Sequence, residues 1–163
     1  MEDITHGMVL AGTGHRPNRL GGYSGYINNK LELLALAAVR LYQPTYGYCG
    51  GALGWDLAWG RALMLEGIPY CLALPWPGMG NNWDRDNVRK LATLKYNADK
   101  CMYLSSTYSR GAYIYRDKYM VINAEGVIAL LDPTAAGSGT YHTYQFATKL
   151  GKPVINLWDD YDI

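Results

Sequence analysis

Short apolar runs alternate along this chain with longer segments whose apolar positions recur every three or four residues. The runs are Met8–Ala11, Thr45–Cys49, Ile68–Leu74, Lys100–Leu104, Val127–Leu131 and Pro153–Leu157. Most are bounded by Gly, Pro or Asp, and their length suits strands. Between them, Ile27, Leu31, Leu34, Ala38 and Leu41 fall at helical spacing. Leu53–Leu65, stopped by Gly67, reads as a second helix, and Arg85–Tyr96, Arg116–Ala124 and Thr140–Leu150 as the others. Strands alternating with helices predict βαβ units with right-handed crossovers. The expected fold is α/β over residues 1–163: a single Rossmann-like, doubly wound, mostly parallel sheet of about six strands with helices on both faces. The expected strand order is 3-2-1-4-5-6. Ligands of such sheets bind beyond the carboxyl ends of the strands, which directs attention to the loops after strands one, two, four and five.

The loop after strand five is the most informative. Gly137-Ser138-Gly139-Thr140 follows an apolar strand and opens a helix. The unpaired N–H groups of a first helical turn and the positive end of the helix dipole both favour an anion there. Glycines admit close backbone approach, and the two hydroxyls add donors. The same residues also suit plain helix capping. After strand one, Gly12-Thr13-Gly14-His15-Arg16-Pro17 offers a glycine turn with donors from Thr13, His15 and Arg16. Pro17 keeps Arg16 extended, and it stands where the dinucleotide fingerprint needs its third glycine. After strand two, Gly50, Gly51 and Gly54 suit a backbone bent close to a ligand. Asp56 in the following turn is a candidate to meet a ribose hydroxyl or to position a water. After strand four, a polar Tyr-rich loop over 105–115 leads to Arg116 at a helix entrance, a second phosphate candidate, with Tyr108, Tyr113 and Tyr115 available for stacking. Trp76, Met79 and Trp83 make an aromatic loop after strand three that fits a pocket wall or a subunit contact.

Composition narrows the class. Hydrophobic residues make up 49% and charged residues 18% of 163, as in a globular domain. The net charge of +1 supplies no general field toward nucleic acid or membrane. No apolar run approaches a membrane span, and the acidic start Met1-Glu2-Asp3 lacks a signal-peptide pattern, so a cytoplasmic location is expected. Cys49, Cys71 and Cys101 show no metal-ligand spacing and read as buried free thiols; no metal is expected. The chain carries 15 Tyr and five Trp against one Phe, which supplies rings with hydrogen-bonding tips.

Taken together, Gly12–Pro17 with Leu20-Gly21-Gly22-Tyr23, Gly50–Asp56, Arg116-Asp117-Lys118-Tyr119-Met120-Val121 and Gly137–Thr140 resemble the SLOG superfamily of Rossmann-like nucleotide-binding domains, in particular its YpsA-like branch. The Rossmann domain of DprA, which loads recombinase onto single-stranded DNA, belongs to the same superfamily. So do the LOG-type phosphoribohydrolases, whose P-G-G-x-G-T-x-x-E motif is similar to Ala135–Thr143 here. The hydrolase glutamate falls on Thr143, which removes the usual partner of the ribosyl-cation transition state and of the attacking water.

The resemblance implies a nucleotide or nucleotide-derived ligand, a signal or a metabolite, and no certain cofactor. Its phosphate would sit on Gly12, Thr13, Gly14, His15 and Arg16 and on Gly137, Ser138, Gly139 and Thr140. Gly50, Gly51, Gly54, Asp56 and Arg116 would complete the site. Two alternatives stand beside binding. One is hydrolysis of an N-glycosidic or phosphate bond, with Asp56, His15 and His142 as acid–base candidates. The other is DprA-like binding of single-stranded DNA; the near-neutral charge argues against it, unless oligomerisation builds a groove by bringing Lys90, Lys95 and Lys100 together. A homo-oligomer is expected, with Trp76, Trp83 and Trp158 as contact anchors, and no membrane partner.

Overall fold

The computed structural model describes residues 3–162. Strands β1 (Val9–Gly14), β2 (Tyr46–Cys49), β3 (Tyr70–Leu74), β4 (Lys100–Tyr103), β5 (Gly126–Leu130) and β6 (Val154–Asn156) form one sheet. Every pairing in it is parallel. The connecting helices are α1 (Pro17–Leu20), α2 (Gly25–Tyr42), α3 (Trp55–Leu65), α4 (Arg85–Asn97), α5 (Arg110–Asn123), α6 (Gly139–Lys149) and α7 (Trp158–Tyr161). This is the expected α/β, Rossmann-like architecture. None of the described helices is long and apolar enough to cross a membrane.

Alternation along the strands sorts the core into two halves. Leu10, Leu72, Leu74, Ile128 and Leu130 face the layer of α2, α3, α4 and α7. Their neighbours Ala11, Ala73 and Val127 face α5 and α6. The first face is thick, with Trp55, Trp59 and Leu63 wholly buried. On the second, alanines let the helices lie close.

The strand order is β4-β3-β2-β1-β5-β6, which corrects the expected 3-2-1-4-5-6. β4 lies at the edge beside β3, and α5 carries the chain back across the sheet to pair β5 with β1. Crossovers of similar length and pattern serve either order, so periodicity alone does not choose between them. One consequence is that Cys49 and Cys71 are buried free thiols while Cys101, on the edge strand, is exposed; the expectation of three buried thiols fails there. The other consequence places the switch point between β1 and β5.

Three local boundaries also differ from expectation. β1 continues through Gly14, so Gly12 and Gly14 are strand residues and the turn begins at His15. They make room for rings: a Cβ on Gly12 would lie 2.5 Å from the Trp59 indole, and one on Gly14 2.5 Å from Trp55. Pro17 does keep Arg16 extended, at φ −80 and ψ 165, but it also starts the short helix α1, as proline at a first helical position does. Finally, α5 starts at Arg110, where the hydroxyl of Ser109 accepts from the Ala112 N–H. Tyr113, Tyr115 and Arg116 are therefore on a helix rather than in or after a loop.

Candidate functional site

At the carboxyl ends of β1, β2 and β5 the chain leaves a cleft of about 280 Å³. Thr13, Gly14, His15 and Arg16 line it from β1 and its turn, and Asn18 and Arg19 from α1. Ala52 and Asp56 come from the β2–α3 connection, Tyr113, Arg116 and Asp117 from α5, and Gly139 and Thr140 from the start of α6. Nine of the residues singled out from the sequence thus share one cleft: Thr13, Gly14, His15, Arg16, Asp56, Tyr113, Arg116, Gly139 and Thr140.

The others act on the backbone or lie elsewhere. Gly50 sits beneath the charged cluster: its Cβ would come within 2.6 Å of Arg116 Nη1 and 2.7 Å of Asp56 Oδ2. Gly51 and Gly54 hold positive φ of 73° and 89° in the turn into α3. That turn docks on the first loop, where the Trp55 N–H donates to the His15 carbonyl at 3.2 Å. The opening N–H of α3 is thus spent inside the protein. Gly137, at φ 86°, makes the turn before α6. Ser138 is the N-cap, its hydroxyl accepting from the Tyr141 N–H at 3.1 Å. The capping reading therefore holds for Ser138. The Gly139 and Thr140 N–H groups precede any intrahelical partner, and both residues line the cleft. His142 is exposed and borders a neighbouring groove between α5 and α6, with Ile114, Lys118 and Phe146, which meets the cleft at Asp117 and Gly139.

Arg116 is the electrostatic centre. It is buried, its Nε donates to Asp117 Oδ1 at 2.6 Å, and its Nη1 donates to the Gly50 carbonyl. Burial opposes its charge, but Asp117 and Asp56 outweigh that and hold the guanidinium above its usual pKa. Asp117 Oδ2 also accepts from the Thr143 hydroxyl at 3.3 Å. A carboxylate from α5 therefore abuts Thr143 on α6. Asp56 is buried without a direct ion pair among the described residues; the Ala52 N–H approaches its Oδ2 at 3.4 Å. Burial pushes its carboxyl up to about 6, against the pull of Arg116.

His15 has a different task. Its Nε2 accepts from the Asp132 N–H at 2.9 Å, which fixes the neutral ring with the proton on Nδ1. Burial first, then Arg19, lowers its pKa. The ring ties the turn after β1 to the segment after β5, edge-on to Trp158.

Arg16 and Arg19 make no ion pair among the described residues, and both are exposed at the rim. The Arg16 and Arg116 guanidinium carbons lie 5.3 and 5.7 Å from the centroid of the Tyr113 ring. Arg16 and Tyr113 also border a second, adjoining pocket of about 430 Å³, walled by Trp76, Met79, Trp83 and Tyr108 with Asn81 and Asn82. Sequence reasoning missed Arg19, Asn18 and these asparagines. Pro17 at the first position of a helix is the signal that would have found the first two.

Residues 61–156 match the family model YpsA, described as the YspA SLOG family. No curated protein matches the chain. Among solved structures, it is similar to DNA processing protein A from Helicobacter pylori, described for its single-stranded DNA binding mode. The identity is 15% and the TM-score 0.60, over 89% of this chain and 63% of that one. DprA from Streptococcus pneumoniae gives 18% and 0.62, over 92% and 49%. The molybdenum cofactor carrier protein of Chlamydomonas reinhardtii gives 17% and 0.53, over 91% and 75%. The chain thus spans about half to two thirds of the length of the two DNA processing proteins. At these identities the likeness establishes the fold.

Proposed function

The chain belongs to the YspA SLOG family, and we propose that it binds a nucleotide or nucleotide-derived small molecule through its phosphate in the cleft between β1, β2 and β5. One observation carries this reading. Two arginines that make no ion pair among the described residues, Arg16 and Arg19, border the same cleft as Gly139 and Thr140, whose N–H groups at the start of α6 have no intrahelical partner. Guanidinium forks and a helix N-terminus are complementary to a phosphate dianion. Arg116, already engaged by Asp117 and Gly50, acts as a fixed positive floor. Asp56, on the same floor, accepts from a sugar hydroxyl.

The test is a thermal-shift panel of mononucleotides, cyclic nucleotides and nucleotide sugars at millimolar concentration. A ligand at 100 times its Kd stabilises by about 2.7 kcal/mol, roughly 5–11 °C for a domain of this size. That shift is expected for at least one member and is lost in Arg16→Ala/Arg19→Ala. A panel without any shift overturns the reading.

A second reading, hydrolysis of an N-glycosidic bond, is favoured by the Asp117–Thr143 contact, which brings a carboxylate to the place where Thr143 has none. Asp56 and Asp117 then line one cleft, Asp56 buried and Asp117 paired with Arg116. Free base appearing on chromatography, and lost in Asp117→Asn, supports it; unchanged nucleotide rejects it. Single-stranded DNA binding has less support, since Lys90 is engaged by Glu32 and Asp86. Salt-dependent retention of an oligonucleotide would revive it.

A further inference from the structure

The adjoining aromatic pocket is a built feature. The β3–α4 loop folds through three successive tight turns, with the Met79, Asn81 and Trp83 N–H groups donating to the Trp76, Gly78 and Gly80 carbonyls at 3.1–3.2 Å. Two glycines seat the indoles. A Cβ on Gly78 would run into the six-membered ring of Trp76, and one on Gly80 would lie 3.0 Å from the Trp83 ring. Met79 is buried and anchors the loop to the core. The Trp76 indole N–H donates to the Tyr113 hydroxyl at 3.2 Å, and Tyr108 meets Trp76 edge-on, with ring centroids 5.7 Å apart. The indoles therefore stand in fixed positions beside open space. The side chains of Asn81 and Asn82, free of hydrogen bonds among the described residues, border the same space.

The pocket meets the phosphate cleft at Arg16 and Tyr113, which line both. Its volume of about 430 Å³ falls in the range that holds a drug-sized ligand. Aromatic walls select a flat ring, by stacking or edge-to-face contact. Primary amides at the rim select a ring that carries both donors and acceptors on its edge, since each amide offers an NH2 that donates and a carbonyl oxygen that accepts. An acyl chain would leave the amides unused, and a sugar phosphate, which has no planar ring, would leave the stacking walls unused.

We propose that the pocket between the β3–α4 loop and the start of α5 is the subsite for the heteroaromatic base of a nucleoside phosphate, with Trp76 and Trp83 as its walls and Asn81 and Asn82 reading the edge of the ring. This rests on the phosphate reading of the neighbouring cleft. It names the ligand class more narrowly: a molecule with a base, a sugar and a terminal phosphate spanning both sites.

Calorimetric titration of the full chain with ribose 5-phosphate and with the common nucleoside 5′-monophosphates tests it. At least one monophosphate is expected to bind tenfold or more tighter than ribose 5-phosphate and to quench tryptophan fluorescence. In Trp83→Ala that advantage falls to within twofold, while ribose 5-phosphate binds as before. Asn81→Ala/Asn82→Ala, which changes only exposed side chains and so leaves the fold intact, reduces the difference between bases. If ribose 5-phosphate binds and every monophosphate matches it, or if the base advantage survives in Trp83→Ala, the subsite is refuted and the phosphate cleft stands. If nothing binds, the phosphate reading fails and the subsite fails with it.

Discussion

Replacing Asp56 with asparagine isolates the cost of the charge at the floor of the cleft. The side chain is buried, makes no direct ion pair among the described residues, and is pushed from 3.8 up to about 6, chiefly by burial. A carboxyl whose pKa rises on folding binds more protons in the folded state between those two values. Its contribution to stability is therefore fully present below pH 4 and is lost as pH rises through 6. At 1.36 kcal/mol per unit, the ionised form costs about 3 kcal/mol in the native state. Asparagine has the shape of the neutral acid and can still accept from the Ala52 N–H. Asp56→Asn is expected to match the parent near pH 4 and to exceed it by up to ~3 kcal/mol at pH 7.5, about 6–12 °C in Tm. Paired urea or thermal melts across this range read the difference between the two proteins, in which the other titrating groups cancel. A difference independent of pH, or a parent that gains on the variant as pH rises, would show that the Asp56 carboxylate carries no burial cost. A gain in stability with a loss of ligand binding would mark Asp56 as a group kept for function.

Other outcomes follow from particular contacts. Arg16→Ala should leave the melting temperature within about 2 °C, because the side chain is exposed and makes no ion pair among the described residues, while weakening nucleotide affinity tenfold or more in a titration. Gly12→Ala should destabilise by about 1–3 kcal/mol in urea melts, because the new methyl meets the Trp59 ring. Gly139→Ala, with open space around its Cβ, should stay within about 0.5 kcal/mol, so that any loss of binding reports close approach of the ligand. Lys152 donates to the carbonyls of Val121, Ile122 and Ala124 at the end of α5. Lys152→Met should therefore cost roughly 2–3 kcal/mol by the same melts, with wild-type-like ligand affinity for the folded fraction.

How far the sequence reached depended on the kind of signal. The alternation of apolar runs and 3.6-residue periods marked the strands and most helices, because burial imposes those periods on any sheet covered on both faces. Strand order was not legible, because the β4–β5 crossover carries no mark of how many strands it passes. Gly12 and Gly14 look the same in sequence whether they make a turn or admit an indole, and here Trp59 and Trp55 decide. The tyrosines after Ser109 suggested a loop, since tyrosine is a middling helix former; the Ser109 cap and burial of Ala112, Arg116 and Met120 made a helix of them. In the cleft, Arg16, Asp56, Arg116 and the start of α6 were legible from their places after strands. The part played by Asp117 was not, because its contacts with Arg116 and Thr143 join two helices that only the fold brings together. His15 was legible as a polar group in the right loop, but its bond to the Asp132 N–H makes it a strut between two loops.

Whether the arginine-rimmed cleft holds the phosphate of a nucleotide-derived ligand is decided by native mass spectrometry of the protein with millimolar nucleoside phosphates, beside Arg16→Ala/Arg19→Ala. A one-to-one adduct of nucleotide mass is expected on the parent chain and absent from the double variant. A parent chain that carries no adduct, or an adduct retained in full by the double variant, contradicts the phosphate reading.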